Sequence, residues 1–157
     1  MIMRNFLYTP LFLACILIVT STNAQIKQSK SASFYQYETE CLEDKLDGNF
    51  VFMAWGSGSS KKEAIDQAKR NAINDILFKG VNKSTCSVRP LITEVQAREK
   101  YRDYIAEFFR KDYSKYINIE QSTKSKKKSR SQTTYGVKVK IDVAGIRYKL
   151  KTDQIIK

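Results

Sequence analysis

Asn49-Phe50-Val51-Phe52-Met53-Ala54-Trp55-Gly56-Ser57-Gly58-Ser59-Ser60-Lys61-Lys62-Glu63-Ala64, running on through Ile65, Ala68, Ala72, Ile73, Ile76 and Leu77 to Gly80, decides the fold of this chain. Phe50 to Trp55 is an apolar run of strand formers, Gly56-Ser57-Gly58-Ser59 interrupts it, and Ser60-Lys61-Lys62-Glu63 has the spacing of a capping box. The segment predicts a strand, a glycine turn and a helix from Lys61 to Lys79. Alanine at every fourth position beside Ile65, Ile73, Ile76 and Leu77 gives that helix a flat apolar face, and Gly80 is its stop. Small side chains suit a helix that lies close against a sheet.

Toward the amino terminus, Phe34 to Leu42 is dense in aromatic and branched residues, and Asp47-Gly48 offers turn chemistry before Phe50, so a β-hairpin is expected. Toward the carboxyl terminus, Val81 to Arg89 reads as a loop ending at Pro90. A second helix is expected from Thr93 to Asp112 or Tyr113, along the stripe Val95, Arg98, Tyr101, Tyr104, Ile105, Phe108 and Phe109. Tyr116, Ile117 and Ile119 open a further strand. Tyr135, Val137, Val139, Ile141 and Val143 then alternate with Gly136, Lys138, Lys140 and Asp142, as a half-buried strand does. Ile146, Leu150 and Ile155 suggest a short closing helix. The order β-β-α-α-β-β-α, with two main helices on one face of a mainly antiparallel sheet, defines an α+β two-layer sandwich spanning 34–157 as one domain.

The first 24 residues have the parts of a secretory signal: Arg4, an apolar core from Leu11 to Val19, and Thr22-Asn23-Ala24 before Gln25. That core is shorter than the roughly 20 residues that span a bilayer, so no transmembrane span is expected after cleavage. Removing 24 of 157 residues leaves 133, with 25–33 as a flexible leader, enough for one core. The 28 Lys and Arg less Arg4, against 16 Asp and Glu, give the mature chain a net charge of +11. Such an excess draws anionic neighbours without choosing among them. Cys41 and Cys86 survive maturation; in an oxidising compartment they either close a disulfide or stand as separate thiols.

No catalytic, cofactor or metal motif is present. Histidine is absent altogether, and Glu38 with Glu40 on one strand face are commonplace carboxylates. Gly56-Ser57-Gly58 followed by Lys61 and Lys62 has the look of a phosphate-binding turn, but the third glycine of the dinucleotide fingerprint is replaced by Lys61, and a plain strand-to-helix turn is preferred. Two surfaces remain as candidates. Lys124, Lys126, Lys127, Lys128 and Arg130 form a basic hairpin loop suited to anions, without the interleaved aromatics that nucleic-acid bases stack on. Tyr101, Tyr104, Phe108 and Tyr113 belong to an aromatic series larger than one buried stripe requires, so part of it is a candidate partner surface.

Ala54-Trp55-Gly56-Ser57-Gly58 followed by Glu63-Ala64, Ala68, Ala72 and Ile76 resembles a small envelope-domain family that includes the lipoprotein-20 family and the amino-terminal domains of flagellar ring proteins and of TolB. The Cys86 to Phe109 stretch, with Arg89-Pro90-Leu91, is similar to a secreted subgroup. The resemblance implies a compact α/β sandwich used for association in the cell envelope of a Gram-negative bacterium, periplasmic, outer-membrane-associated or secreted, with an envelope protein as partner. It supplies no catalytic residues. Cys15 departs from the lipoprotein members, since Phe12-Leu13-Ala14 lacks the leucine usual three places before a lipidated cysteine. The expected function is therefore a non-enzymatic binding or assembly module. The alternatives are an electrostatic binder of anionic glycan, lipid or nucleic acid and, third, a hydrolase without a recognisable motif.

Overall fold

The computed structural model describes residues 38–82, 85–128 and 133–157. The expected signal (1–24) and leader (25–33), the Phe34 to Tyr37 part of the first strand and Arg130 lie outside the described residues. In chain order the elements are β1 (Glu40–Asp44), β2 (Asn49–Gly58), α1 (Lys61–Phe78), β3 (Val81–Asn82), β4 (Ser87–Val88), α2 (Ala97–Lys100), α3 (Arg102–Glu107), a π-helical turn Phe108–Asp112, a 3-10 turn Tyr113–Tyr116, β5 (Ile117–Lys128), β6 (Thr133–Asp142) and α4 (Val143–Thr152). Four strands form one sheet in the order β1-β2-β6-β5, all neighbours antiparallel. This is the expected α+β class, with a small hairpin of two-residue strands, β3 with β4, added between α1 and α2.

Gly56, Ser57 and Gly58 are not the turn that the sequence suggests. They extend β2 and pair with Tyr135, Thr134 and Thr133 of β6. The glycines stand there because α1 crosses them: a Cβ on Gly56 would lie 2.2 Å from the Ala68 nitrogen and 2.3 Å from the Ala64 oxygen, and one on Gly58 2.7 Å from the Ala64 nitrogen. Glycines of the strand and alanines of the helix are two halves of one contact. Only Ser59 and Ser60 remain to make the turn. Ser60 Oγ accepts from the Glu63 amide at 3.2 Å, and the Glu63 carboxylate reaches back to accept from the Ser59 amide at 3.0 Å.

The close approach also lets a polar side chain of α1 reach the strand. Buried Asn71 donates to the Trp55 carbonyl at 2.9 Å and accepts from Gln67 Nε2 at 2.9 Å, so its amide is bonded at both ends. At the other end of α1 the Lys79 and Gly80 amides donate to the Asp75 carbonyl, with Gly80 at φ +73°. Leu91 and Ile92 then donate to the Ile76 and Leu77 carbonyls at 3.1 and 2.9 Å, so the chain after Pro90 covers the helix end.

The second helix differs from expectation. Gln96 takes a left-handed conformation (φ +58°) and Val95 is exposed, so helix begins only at Ala97, and it is broken at Tyr101 and again at Phe108. The π-helical turn has a physical reason. Phe108 and Tyr113 are five apart, out of phase in an α-helix, and the wider turn brings both into the core. They join Phe52, Ala54, Val137, Val139 and Ile141 of the sheet, Ala68, Ala72, Ile73 and Ile76 of α1, and Ile146 and Leu150 of α4 in one cluster.

Strand β6 behaves as its alternation predicts: Val137, Val139 and Ile141 are buried, while Lys138 and Lys140 are only partly covered. Asp142 ends it and caps α4, its Oδ1 accepting from the Gly145 amide at 2.7 Å. Cys41 of β1 and Cys86 before β4 are disulfide-bonded, Cα to Cα 5.3 Å, 45 residues apart in sequence. Closing a loop of that length constrains the unfolded chain by about 4 kcal/mol. Urea melts with and without reductant are therefore expected to differ by about that amount, and superimposable melts would show that the bridge adds no stability.

Candidate anion-binding surfaces

The aromatic series is consumed by the fold. Phe108 and Tyr113 are 3% and 6% exposed, which corrects their assignment to a partner surface. Phe108 stacks on Tyr116, ring centroids 6.1 Å apart, and packs edge-on to Phe109 at 5.7 Å. Tyr101 and Tyr104 are half-buried with their hydroxyls engaged: Tyr101 Oη donates to Glu94 at 3.1 Å, and Tyr104 Oη to Asp153 at 2.7 Å. Burial first, and then the bond to Asp153, push the Tyr104 hydroxyl far above its ordinary pKa. The surplus that the sequence shows is met by a helix unwound enough to turn aromatics inward on more than one side.

One cluster ties this segment to α1. The Arg70 guanidinium stands 4.6 Å from the Tyr113 ring centroid and 5.9 Å from that of Phe109, donates to the Phe109 carbonyl at 3.2 Å, and pairs with Asp66 at 2.8 Å. Tyr113 Oη donates to the other oxygen of Asp66. Partial burial by itself pushes Asp66 up, but the bonds from Tyr113 and Arg70 with the nearby positive charge outweigh it and hold the carboxyl below its ordinary value. Burial, reinforced by the bond to Asp66, pushes Tyr113 up to about 12.

The described part of the basic tract is strand rather than loop. Lys124 to Lys128 lie on β5, with Lys126, Lys127 and Lys128 paired to Tyr135, Thr134 and Thr133, and β5 is an edge of the sheet. The phosphate-turn alternative at the start of α1 is likewise filled from within, by Ser60 Oγ and the Glu63 carboxylate. Glu40 is a β1 residue opposite Met53 and Glu38 precedes the strand; neither is an unengaged carboxylate. Among the described residues no group of three or more His, Cys, Asp or Glu is arranged to hold a metal ion, and no helix is long and apolar enough to cross a membrane.

A second cationic surface escaped the sequence reading. Gly48, Phe50, Val143, Ala144, Arg147, Tyr148 and Lys151 line a groove of about 410 Å³ between the β1–β2 turn and α4. Among the described residues neither Arg147 nor Lys151 is paired with a carboxylate, and both are exposed. The spacing of Ala144, Arg147, Tyr148 and Lys151 at i, i+3, i+4 and i+7 was the available signal, and only the neighbouring turn makes a groove of it. The fold is an α+β domain with a lysine-rich edge strand, β5, and a cationic groove beside α4. Comparison of the chain with protein-family models, with curated proteins and with solved structures found no match.

The Tyr113–Asp66 bond generates a pH expectation. The stability that Tyr113 contributes is fully present below its ordinary pKa of about 10 and is lost as pH rises through about 12. The contribution of Asp66 is present above its ordinary pKa and is lost as pH falls through its lowered one. Tyr113→Phe is expected to lower stability by about 1–2 kcal/mol at neutral pH and to flatten the alkaline decline in urea melts. A variant as stable as the wild type, with the same alkaline decline, would show that this bond contributes nothing.

Proposed function

We propose that this is an exported, non-enzymatic binding module of the cell envelope that holds an acidic glycan by electrostatic attraction along β5. The observation that carries the reading is that Lys124, Lys126, Lys127 and Lys128 lie on a hydrogen-bonded edge strand rather than on a loop. The ladder with β6 is irregular between Ser122 and Lys126 and regular from Lys126 to Lys128, so at about 3.3 Å per residue the three paired lysines occupy roughly 7 Å of extended edge backbone, which suits an extended polyanion. The same lysines discourage edge-to-edge pairing with another sheet, so binding and solubility ask for the same residues. The net charge of the mature chain adds long-range attraction.

Nucleic acid is disfavoured because the tract offers no interleaved aromatics for base stacking. Association with an envelope protein through the aromatic helix loses its support, since those rings lie in the core or are half-buried and bonded. Membership of the envelope-domain family that Ala54 to Ile76 resembles belongs to this proposal, as does export through the amino-terminal segment.

Heparin, as a probe polyanion, is expected to retain the protein in a salt-dependent manner. Lys126→Glu with Lys127→Glu and Lys128→Glu is expected to weaken retention by about tenfold or more and to flatten its dependence on salt. Unchanged retention by the triple variant would remove β5 from the account.

A further inference from the structure

We infer that the groove between the β1–β2 turn and α4 docks the protein on the anionic leaflet of a lipid bilayer. This goes beyond glycan binding by β5 and rests on different residues. The lining combines an apolar floor, Phe50, Val143 and Ala144, with a rim of Arg147, Tyr148 and Lys151. A glycan finds few partners on such a floor; a lipid interface presents apolar and anionic chemistry side by side.

Two large apolar residues stand out of the protein at this place. Tyr148 is 74% exposed on α4, and Leu46, two residues before Gly48 in the adjoining turn, is 91% exposed. Holding such side chains in water-facing positions gains nothing for the fold, whereas an aromatic with a polar tip and a protruding leucine suit the boundary between headgroups and acyl chains. Helix α4 is amphipathic in the required sense: Ile146 and Leu150 are in the core, and Arg147, Tyr148 and Lys151 are turned outward.

The positive charge comes from side chains alone. The amides at the start of α4 are already taken, Val143 and Ala144 by the Gly48 carbonyl at 3.1 Å each and Gly145 by Asp142. The carboxylates of the turn are engaged locally: Glu43 with Lys45, Asp44 with the Leu46 amide, and Asp47 with the Asn49 amide. Arg147 and Lys151 therefore face lipid phosphates with no carboxylate partner among the described residues. Gly48 makes the groove sterically, since a Cβ there would stand 2.5 Å from Ala144 Cβ.

The test is flotation of the exported chain, starting at Gln25, with vesicles of phosphatidylcholine alone or with one part in three phosphatidylglycerol. The wild type is expected to float with the anionic vesicles only. Arg147→Glu with Lys151→Glu, and separately Leu46→Ser with Tyr148→Ser, are expected to weaken binding by about tenfold each, with thermal melts unchanged because all four side chains are exposed. The β5 triple variant is expected to float as the wild type does, so a failure of the glycan reading and a failure of this one are distinguishable. In a Tyr148→Trp variant, added emission should be quenched by lipids brominated near the headgroup. The inference is overturned if the wild type ignores anionic vesicles, if the groove variants float undiminished, if only the β5 variant loses binding, or if the Tyr148→Trp emission is unaffected by the brominated lipid.

Discussion

The approach of α1 to β2 at Gly56 and Gly58 is the constraint on which the rest of the molecule depends. With no Cβ on the strand and only methyl groups at Ala64 and Ala68, helix backbone lies against strand backbone, a separation that one added carbon would violate by contact with main-chain atoms. That seating aligns Asn71 with the Trp55 carbonyl and sets Ile73, Ile76 and Leu77 over the sheet. It also turns the opposite side of α1, with Asp66 and Arg70, toward the segment that follows.

From there the fold is assembled by using aromatics where small residues are absent. Tyr113 and Phe109 close over Arg70, and the π-helical turn is the backbone adjustment that allows Phe108 and Tyr113 to be buried together. Helix α4 completes the core through Ile146 and Leu150, and Cys41 with Cys86 fastens the first strand to the hairpin after α1. With those rings buried or bonded, the surfaces proposed for recognition lie on β5 and beside α4.

Much of this was readable along the chain where local chemistry and global packing agree. The capping serines, Gly80, the alternation of Val137, Val139 and Ile141, and the Asp47-Gly48 turn each act over a few residues, and each stands where the pattern indicates. The pattern points to a turn at Gly56 and Gly58 because a glycine needed for a turn and a glycine needed for close approach look alike until the crossing helix is known. The second helix departs from its pattern because a stripe at spacings of three and four conceals the five-residue step from Phe108 to Tyr113. The groove has no local signature because it joins residues a hundred positions apart, Gly48 and Tyr148, through a contact that no local period encodes.

The most direct measurement of the central claim is the unfolding free energy, from urea melts, of Gly56→Ala beside Gly136→Ala. An added methyl at Gly136 meets the ring of half-buried Trp55, a side chain that can rotate, whereas at Gly56 it meets helix backbone, which cannot. The account predicts a loss of about 3 kcal/mol or more for Gly56→Ala and a clearly smaller one for Gly136→Ala. A Gly56→Ala protein within about 0.5 kcal/mol of the wild type, at equal m-value, would contradict it.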